Sequence, residues 1–238
     1  MVASRLTLLR HGESEANVAA ADAERRGEHR IAVPARDADV VLTPRGREQA
    51  AAAGRRLAAL AHPPRVVWVS PYARARETAA IALDTAGITA EIVVDERLRD
   101  RELGIFDALT SAGVAALYPD ESARRRWHGK FYHRPPGGES WADVALRIRS
   151  VLRDIDDATV DGEVLVVSHD AVVALIRYVC ERFEERALLE EVRTNPMPNA
   201  AFTSLVRDGI RWSADSVNEI GHLPEVTTHQ GETDGTRV

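Results

Sequence analysis

Short apolar, β-branched runs alternate along this 238-residue chain with helix-length amphipathic stretches, and that alternation restricts the fold more than any other feature. Strands read at Arg5–Leu9, Arg65–Val69, Ile92–Val94 and Glu163–Ser168, with a terminal strand pair at Ala201–Val206 and about Ile210–Ala214. A helix reads from Thr43, an N-cap with Pro44 at the first helical position, to about Leu60. Others read from Tyr72 to Ala86, stopped by Gly87, and from Ser111 to Leu117, ended at Pro119. The longest opens at Ser140 and runs to about Ile155, with Val144, Ile148, Val151, Leu152 and Ile155 at helical spacing. The last reads from Ala171 to Phe183. Strands separated by helices pair in parallel, so the expected class is α/β: three layers, a mostly parallel central sheet with helices on both faces. Residues 1–221 read as one domain, with a cap or insert at about 100–140, and 222–238 as a polar, flexible tail. Ala20–Val40 reads as a long loop near the carboxyl end of the first strand, where open α/β sheets bind ligands.

Composition narrows the partners. Apolar residues make up 45% of the chain, enough for a sizeable core, and the formal charge is −6. That balance argues against a nucleic-acid or anionic-membrane partner. No apolar run reaches membrane-spanning length and the first ten residues do not make a signal segment, so a cytoplasmic location is expected. The one cysteine, Cys180, lies in an apolar stretch and reads as a buried, inert thiol.

The chemistry gathers at strand ends. The first strand runs into Arg10-His11-Gly12-Glu13-Ser14, the fourth into Ser168-His169-Asp170, and the second into Ser70-Pro71-Tyr72-Ala73-Arg74. Gly12 allows a tight turn and the approach of a ligand. Ser14 would start a helix whose N-terminal N–H groups favour an anion. Arg74 in the first turn of a helix works against the helix dipole. Each of these alone reads equally well as a solvated side chain. Three strand ends bringing Arg or His to one edge point to a phosphate site, because buried imidazole needs hydrogen-bond partners.

In combination these segments resemble the histidine phosphatase superfamily, which includes cofactor-dependent phosphoglycerate mutase. The resemblance rests on Arg10-His11-Gly12 with Glu13 and Asn17, on Leu42-Thr43-Pro44-Arg45-Gly46 with Gln49-Ala50, on Ser70, Arg74-Ala75 and Thr78-Ala79, and on His169. It implies a phosphoglycerate mutase-like fold and a phosphohistidine intermediate on His11. Arg10, Arg74 and His169 would bind the transferring phosphoryl group, with Asn17 as a further contact and Ser14 and Asp170 beside it. The general acid of the family falls in Leu98-Arg99-Asp100-Arg101-Glu102-Leu103-Gly104; the matching slot is Asp100, with Glu102 as a rival. Asp170 stands where many members have Gly; it would narrow the pocket, orient His169, or, the favoured reading, cap a helix.

Physical chemistry sets the requirements. A phosphate monoester carries about two negative charges at neutral pH, which two arginine forks and a protonated His169 would balance. His11 must be neutral, with one nitrogen donating to a backbone carbonyl and the other aimed at phosphorus. The acid needs a raised pKa. The scheme needs no metal and no cofactor, and the sequence holds neither a P-loop nor a His-Glu-x-x-His motif. The stretch Gly129-Lys130-Phe131-Tyr132-His133-Arg134-Pro135-Pro136-Gly137-Gly138-Glu139-Ser140 resembles a phosphatase branch rather than the glycolytic mutases; Arg124–Arg126 before it reads equally as substrate contact or as a solvated helix end. The leading expectation is therefore a phosphatase acting on a small, soluble phosphorylated metabolite. The alternatives are a phosphoglycerate-type mutase and a non-catalytic phospholigand- or protein-binding module. A homodimer is common in the superfamily and is an expectation by resemblance.

Overall fold

In the strand Arg5–Arg10 every side chain after Arg5 is buried, and successive residues enter two different cores: Leu6 and Leu8 one, Leu9 the other. Only a strand covered on both faces reads this way. The computed structural model describes residues 3–33, 36–158 and 162–224. Among these the order is β1 (Arg5–Arg10), α1 (Glu15–Arg26), α2 (Pro44–Ala58), β2 (Val66–Val69), α3 (Ala73–Ala86), β3 (Glu91–Val94), α4 (Ser111–Leu117), α5 (Pro119–His128), α6 (Trp141–Ala158), β4 (Glu163–Ser168), α7 (Asp170–Glu181), α8 (Glu185–Thr194), β5 (Phe202–Asp208) and β6 (Arg211–Glu219). The strands form one sheet in the order β3-β2-β4-β1-β5-β6. β1, β2, β3 and β4 pair in parallel, and β5 and β6 add antiparallel. The expected mostly parallel three-layer α/β fold is present.

One core joins Leu6, Leu8, Val164 and Val166 to α6 and α7 through Trp141, Ile148, Val172 and Ile176. The other joins Leu9, Val67, Val69 and Val167 to α2 and α3 through Ala53, Leu57, Ala79 and Leu83. The period of two along each strand thus supplies both layers. A third, small cluster of Phe106, Leu109 and Val114 lies in the segment that was expected to cap the site. Cys180 is buried and its thiol is pushed up to about 12 by burial, in keeping with an inert role.

Three sequence expectations need correction. The reading of Ala20–Val40 as a loop fails at its start, because α1 continues to Arg26 and ends at Gly27 in the left-handed conformation, φ 67°. Only Asn17, Ala20 and Ala23 of α1 are buried, so no apolar stripe marks it. Helices α5 and α8 were not expected: α5 has no buried residue, and α8 is a ten-residue helix that fully buries only Leu188. Strand β6 runs to Glu219, beyond Ala214. Most of the expected tail, 225–238, lies outside the described residues.

Register places the site. β1 pairs with β4 so that Arg10 sits opposite Ser168, and Val167 is shared with Val69 of β2. The residues one step beyond, His11, His169 and Ser70, therefore leave the sheet side by side at its carboxyl edge.

Candidate active site

The His11 backbone N–H donates to the Ser168 carbonyl at 2.9 Å, and the Gly12 N–H donates to Thr78 Oγ1 at 3.0 Å. These bonds tie the β1 turn to β4 and α3. The turn is pressed against α2: a Cβ on Gly12 would meet the Gly46 carbonyl oxygen at 2.4 Å, and one on Gly46 would meet that of Glu13 at 2.0 Å. Glycine at both places is what lets the two backbones touch. Glu13 completes the contact, accepting from Thr43 Oγ1 at 2.8 Å and lying 3.5 Å from Arg45 Nη1.

His11 Nδ1 lies 2.7 Å from the Gly12 carbonyl oxygen. A carbonyl only accepts, so this nitrogen carries the proton and Nε2 keeps its lone pair. Nε2 accepts from Arg74 Nε at 3.3 Å. Burial first, then the charges of Arg74, His169 and Arg10, hold the His11 ring well below the usual histidine pKa, so it is neutral at pH 7. His169 is fully buried, with its ring 5.2 Å from that of His11. Its Nε2 is hydrogen-bonded to Ser70 Oγ at 2.8 Å, and that hydroxyl also accepts from the Tyr72 N–H at 3.3 Å. Its Nδ1 lies 3.2 Å from Asp100 Oδ2. Burial outweighs Asp100 and lowers the His169 pKa. Burial thus works against the protonated His169 expected from the sequence, while Asp100 favours it.

Arg10 is buried and gives Nη1 to the Met197 carbonyl at 2.6 Å, while its buried Nε has no partner among the described residues. Arg74, also buried, donates to both carboxylate oxygens and the carbonyl of Asp37 and, at 3.1 Å, to Asp100 Oδ2. Asp100 Oδ1 accepts from the Arg101 N–H at 2.8 Å. Burial would raise the Asp100 pKa, but His169 and Arg74 override it and hold the carboxyl well below its ordinary value. The raised pKa expected of the acid is thus absent while Arg74 remains bonded to it.

Arg10, His11, Ser14, Ala16, Asn17, Asp37, Arg74, Asp100 and Asp170 line one pocket of about 250 Å³, open to solvent. Glu102 does not line it: its carboxylate accepts from Tyr72 O–H at 2.9 Å, and the side chain is half exposed. Ser14 caps α1, its Oγ accepting from the Asn17 N–H at 3.3 Å and donating to Asn17 Oδ1. Asn17 Oδ1 also accepts from Asn199 Nδ2 at 3.0 Å, which occupies the acceptor end of its amide. The favoured reading of Asp170 as a helix cap is corrected: His169 is the N-cap of α7 and Asp170 is the first helical residue. Its Oδ1 accepts from the Ala171 N–H at 2.9 Å, and burial raises its pKa against the pull of Arg10. A larger cleft of about 580 Å³, lined by Trp141, Leu188, Val192 and Met197 among others, adjoins at Asp170 and carries neither histidine.

The sequence reading missed Asp37, which sits in a stretch without periodicity, and the part of Ser70 in fixing His169. The basic run Arg124–Arg126 is solvated at Arg124, which pairs with Glu121 at 3.2 Å. In the stretch after it, Phe131 is buried, Arg134 pairs with Asp143, and Glu139 pairs with Arg99 and Arg147, so these side chains fasten the segment to α6 and to the Arg99 turn.

The family model of the histidine phosphatase superfamily (branch 1) matches residues 6–220. The chain belongs to the histidine phosphatase superfamily. A glucosyl-3-phosphoglycerate phosphatase of Mycobacterium tuberculosis is 30% identical over 241 residues, covering 92% of this chain and 96% of that protein. A structure of mycobacterial glucosyl-3-phosphoglycerate phosphatase in complex with VO3 superposes with a TM-score of 0.72 at 29% identity, over 90% of this chain and 98% of that one. A 2,3-bisphosphoglycerate-dependent phosphoglycerate mutase of Gloeobacter violaceus is 36% identical, but over only 46% of this chain and 49% of the mutase. The phosphatase match covers 92% of this chain, against 78% for a 2,3-bisphosphoglycerate-dependent phosphoglycerate mutase of Rhizobium meliloti at 29% identity, and this histidine phosphatase is a hydrolase. Among its described residues no helix is long and apolar enough to cross a membrane. Nor does any group of three or more His, Cys, Asp or Glu among them offer a metal ion a site.

Proposed function

We propose that this histidine phosphatase hydrolyses a small phosphorylated metabolite in the cytoplasm, with His11 as nucleophile and Asp100 as general acid and base. The observation that carries the reading is the fixed tautomer of His11. Nδ1–H is held by the Gly12 carbonyl and Nε2 keeps its lone pair, facing Arg74 Nε, inside a pocket walled by two buried arginines. Nε2 attacks phosphorus, the P–O bond to the alcohol breaks, and Asp100 supplies the proton the leaving alkoxide takes. The Asp100 carboxylate then takes a proton from the water that attacks the phosphohistidine, releasing inorganic phosphate and restoring the acid. Arg10 and Arg74 stabilise the equatorial oxygens, with the Asn17 amide beside them. His169, held by Ser70, orients Asp100 from behind and supports the ring of His11. When a phosphate dianion binds at Arg74, Asp100 gains a more highly charged anionic neighbour, which raises its pKa toward that of a working acid.

The similarity to glucosyl-3-phosphoglycerate phosphatases makes a phosphorylated, glycosylated hydroxy acid the first substrate to try. The test is phosphate release over a panel of phosphate esters including glucosyl-3-phosphoglycerate and 3-phosphoglycerate, with no added metal, wild type beside His11→Ala. Release by wild type alone supports the reading. Turnover of phosphoglycerate only when a bisphosphorylated glycerate is added would replace it with a mutase.

A further inference from the structure

The pocket that would take a phosphoryl group already holds anions of its own. Asp37, Asp100 and Asp170 share its wall with Arg10 and Arg74. The two arginines are in different states. Arg10 keeps a buried Nε with no partner among the described residues, a donor in waiting. Arg74 has none to spare. A guanidinium has five N–H donors in one plane. Those of Arg74 meet His11 Nε2 at 3.3 Å, the Asp37 carbonyl at 2.7 Å, Asp37 Oδ1 at 2.9 Å, Asp37 Oδ2 at 3.1 Å and Asp100 Oδ2 at 3.1 Å.

A phosphoryl oxygen can therefore reach Arg74 only by displacing an acceptor. Asp37 is the one placed to leave. Its side chain is 37% exposed against 22% for Asp100. It stands on the three-residue turn Asp37–Asp39, outside the sheet and the long helices. Asp100 is further anchored by the Arg101 N–H and by His169 Nδ1. Freed from Arg74, the Asp37 carboxylate regains water, and the guanidinium exchanges one bidentate anion for another.

We propose that Asp37 is a resident counter-anion which the phosphoryl group must displace from Arg74, so that this residue sets how weakly the site holds both substrate and inorganic phosphate. The proposal rests on the reading of Arg74 as a phosphate ligand. A phosphatase that binds its dianionic product too firmly is inhibited by it, and a carboxylate tethered beside the fork competes at high effective concentration. Asp37 acts through Arg74 and is a specificity-setting residue for the anion, not a catalytic one.

The experiment measures inorganic phosphate binding by calorimetry and its inhibition constant against p-nitrophenyl phosphate turnover, for the full-length wild type, Asp37→Asn, Asp37→Ser, Asp37→Glu and Arg74→Ala. Removing the charge in Asp37→Asn or Asp37→Ser should tighten phosphate about tenfold, the scale of one charge-assisted pair. KM should fall in parallel, with kcat moving much less. Asp37→Glu should restore the weak binding, which a merely structural role would not do. Two variants guard against one that does not fold. If Arg74→Ala loses phosphate affinity while both charge-removing variants bind phosphate no more tightly than wild type, the displacement proposal is overturned and the Arg74 reading stands. If Arg74→Ala binds phosphate as wild type does, the Arg74 reading itself fails and this inference with it.

Discussion

His11 carries its proton on the side that faces its own turn, and that one bond divides the ring into a fixed donor and a nitrogen with its lone pair available for attack. His11→Ala should lower phosphate release by at least about a thousandfold, the scale of losing a nucleophile that works with its partners as a unit. Labelling of the protein by a ³²P-ester should disappear with it. Asp100→Asn should slow alkyl phosphates far more than p-nitrophenyl phosphate, whose leaving group needs little protonation, by about 10²-fold or more on the alkyl esters. Glu102→Gln should leave that pattern intact, because Glu102 is bonded to Tyr72 outside the pocket; the same leaving-group split in this variant would move the acid to Glu102. Arg10, His11, Arg74 and His169 were legible in the sequence because each stands at or just beyond the end of an apolar strand, where pattern fixes position. Asp37 was not, since its place depends on a non-periodic segment folding back over Arg74. Asp170 was seen but misplaced by one residue: the helix begins a step earlier than its sequence suggests, which turns a supposed cap into a pocket wall.

The element that decides catalytic geometry is the contact between the β1 turn and the start of α2, where Gly12 and Gly46 bring two backbones together. Gly46→Ala has no flexible neighbour to give way, since its Cβ would meet main-chain atoms of Glu13. It should destabilise the fold by about 1–3 kcal/mol in urea unfolding. It should also lower kcat in the fraction that folds, by shifting the carbonyl that holds His11. Elements with a long apolar stripe were recoverable from sequence. α6 begins beside Ser140 as expected, with Ser140 and Asp143 capping each other's N–H groups at 3.1 and 2.8 Å. α5 was not recoverable, because a helix with no buried residue leaves no periodicity to read; α8 does carry an apolar side, Leu188, Leu189 and Val192, but is only ten residues long and was missed by the sequence reading.

For the whole molecule the buried histidines set the response to acid. Burial lowers the pKa of His11, His133 and His169, and takes His222 to about 4. With folded values below the unfolded value of about 6.5, the unfolded chain binds more protons as pH falls. The stability these groups confer is complete above about pH 6.5 and is lost progressively below it. Asp107 and Asp170, raised by burial, act in the opposite sense but are fewer. Asp95 and Asp143, held low by Arg97 and Arg134, lose their contribution only below about pH 4. Melting temperature, followed by circular dichroism, should fall steadily from pH 7 to pH 5; a flat profile would show that these rings accept protons without cost.

The strand that bears the nucleophile lies between β4 and β5, so its neighbours on both sides come from residues 163–168 and 202–208. A chain emerging from a ribosome makes its reactive histidine almost at once, yet has nothing to hold it until more than 150 further residues have followed, as the spacing of β1 and β4 requires. Premature termination anywhere before β4 therefore yields no weakened enzyme, only an unpaired apolar strand for chaperones or proteases to handle.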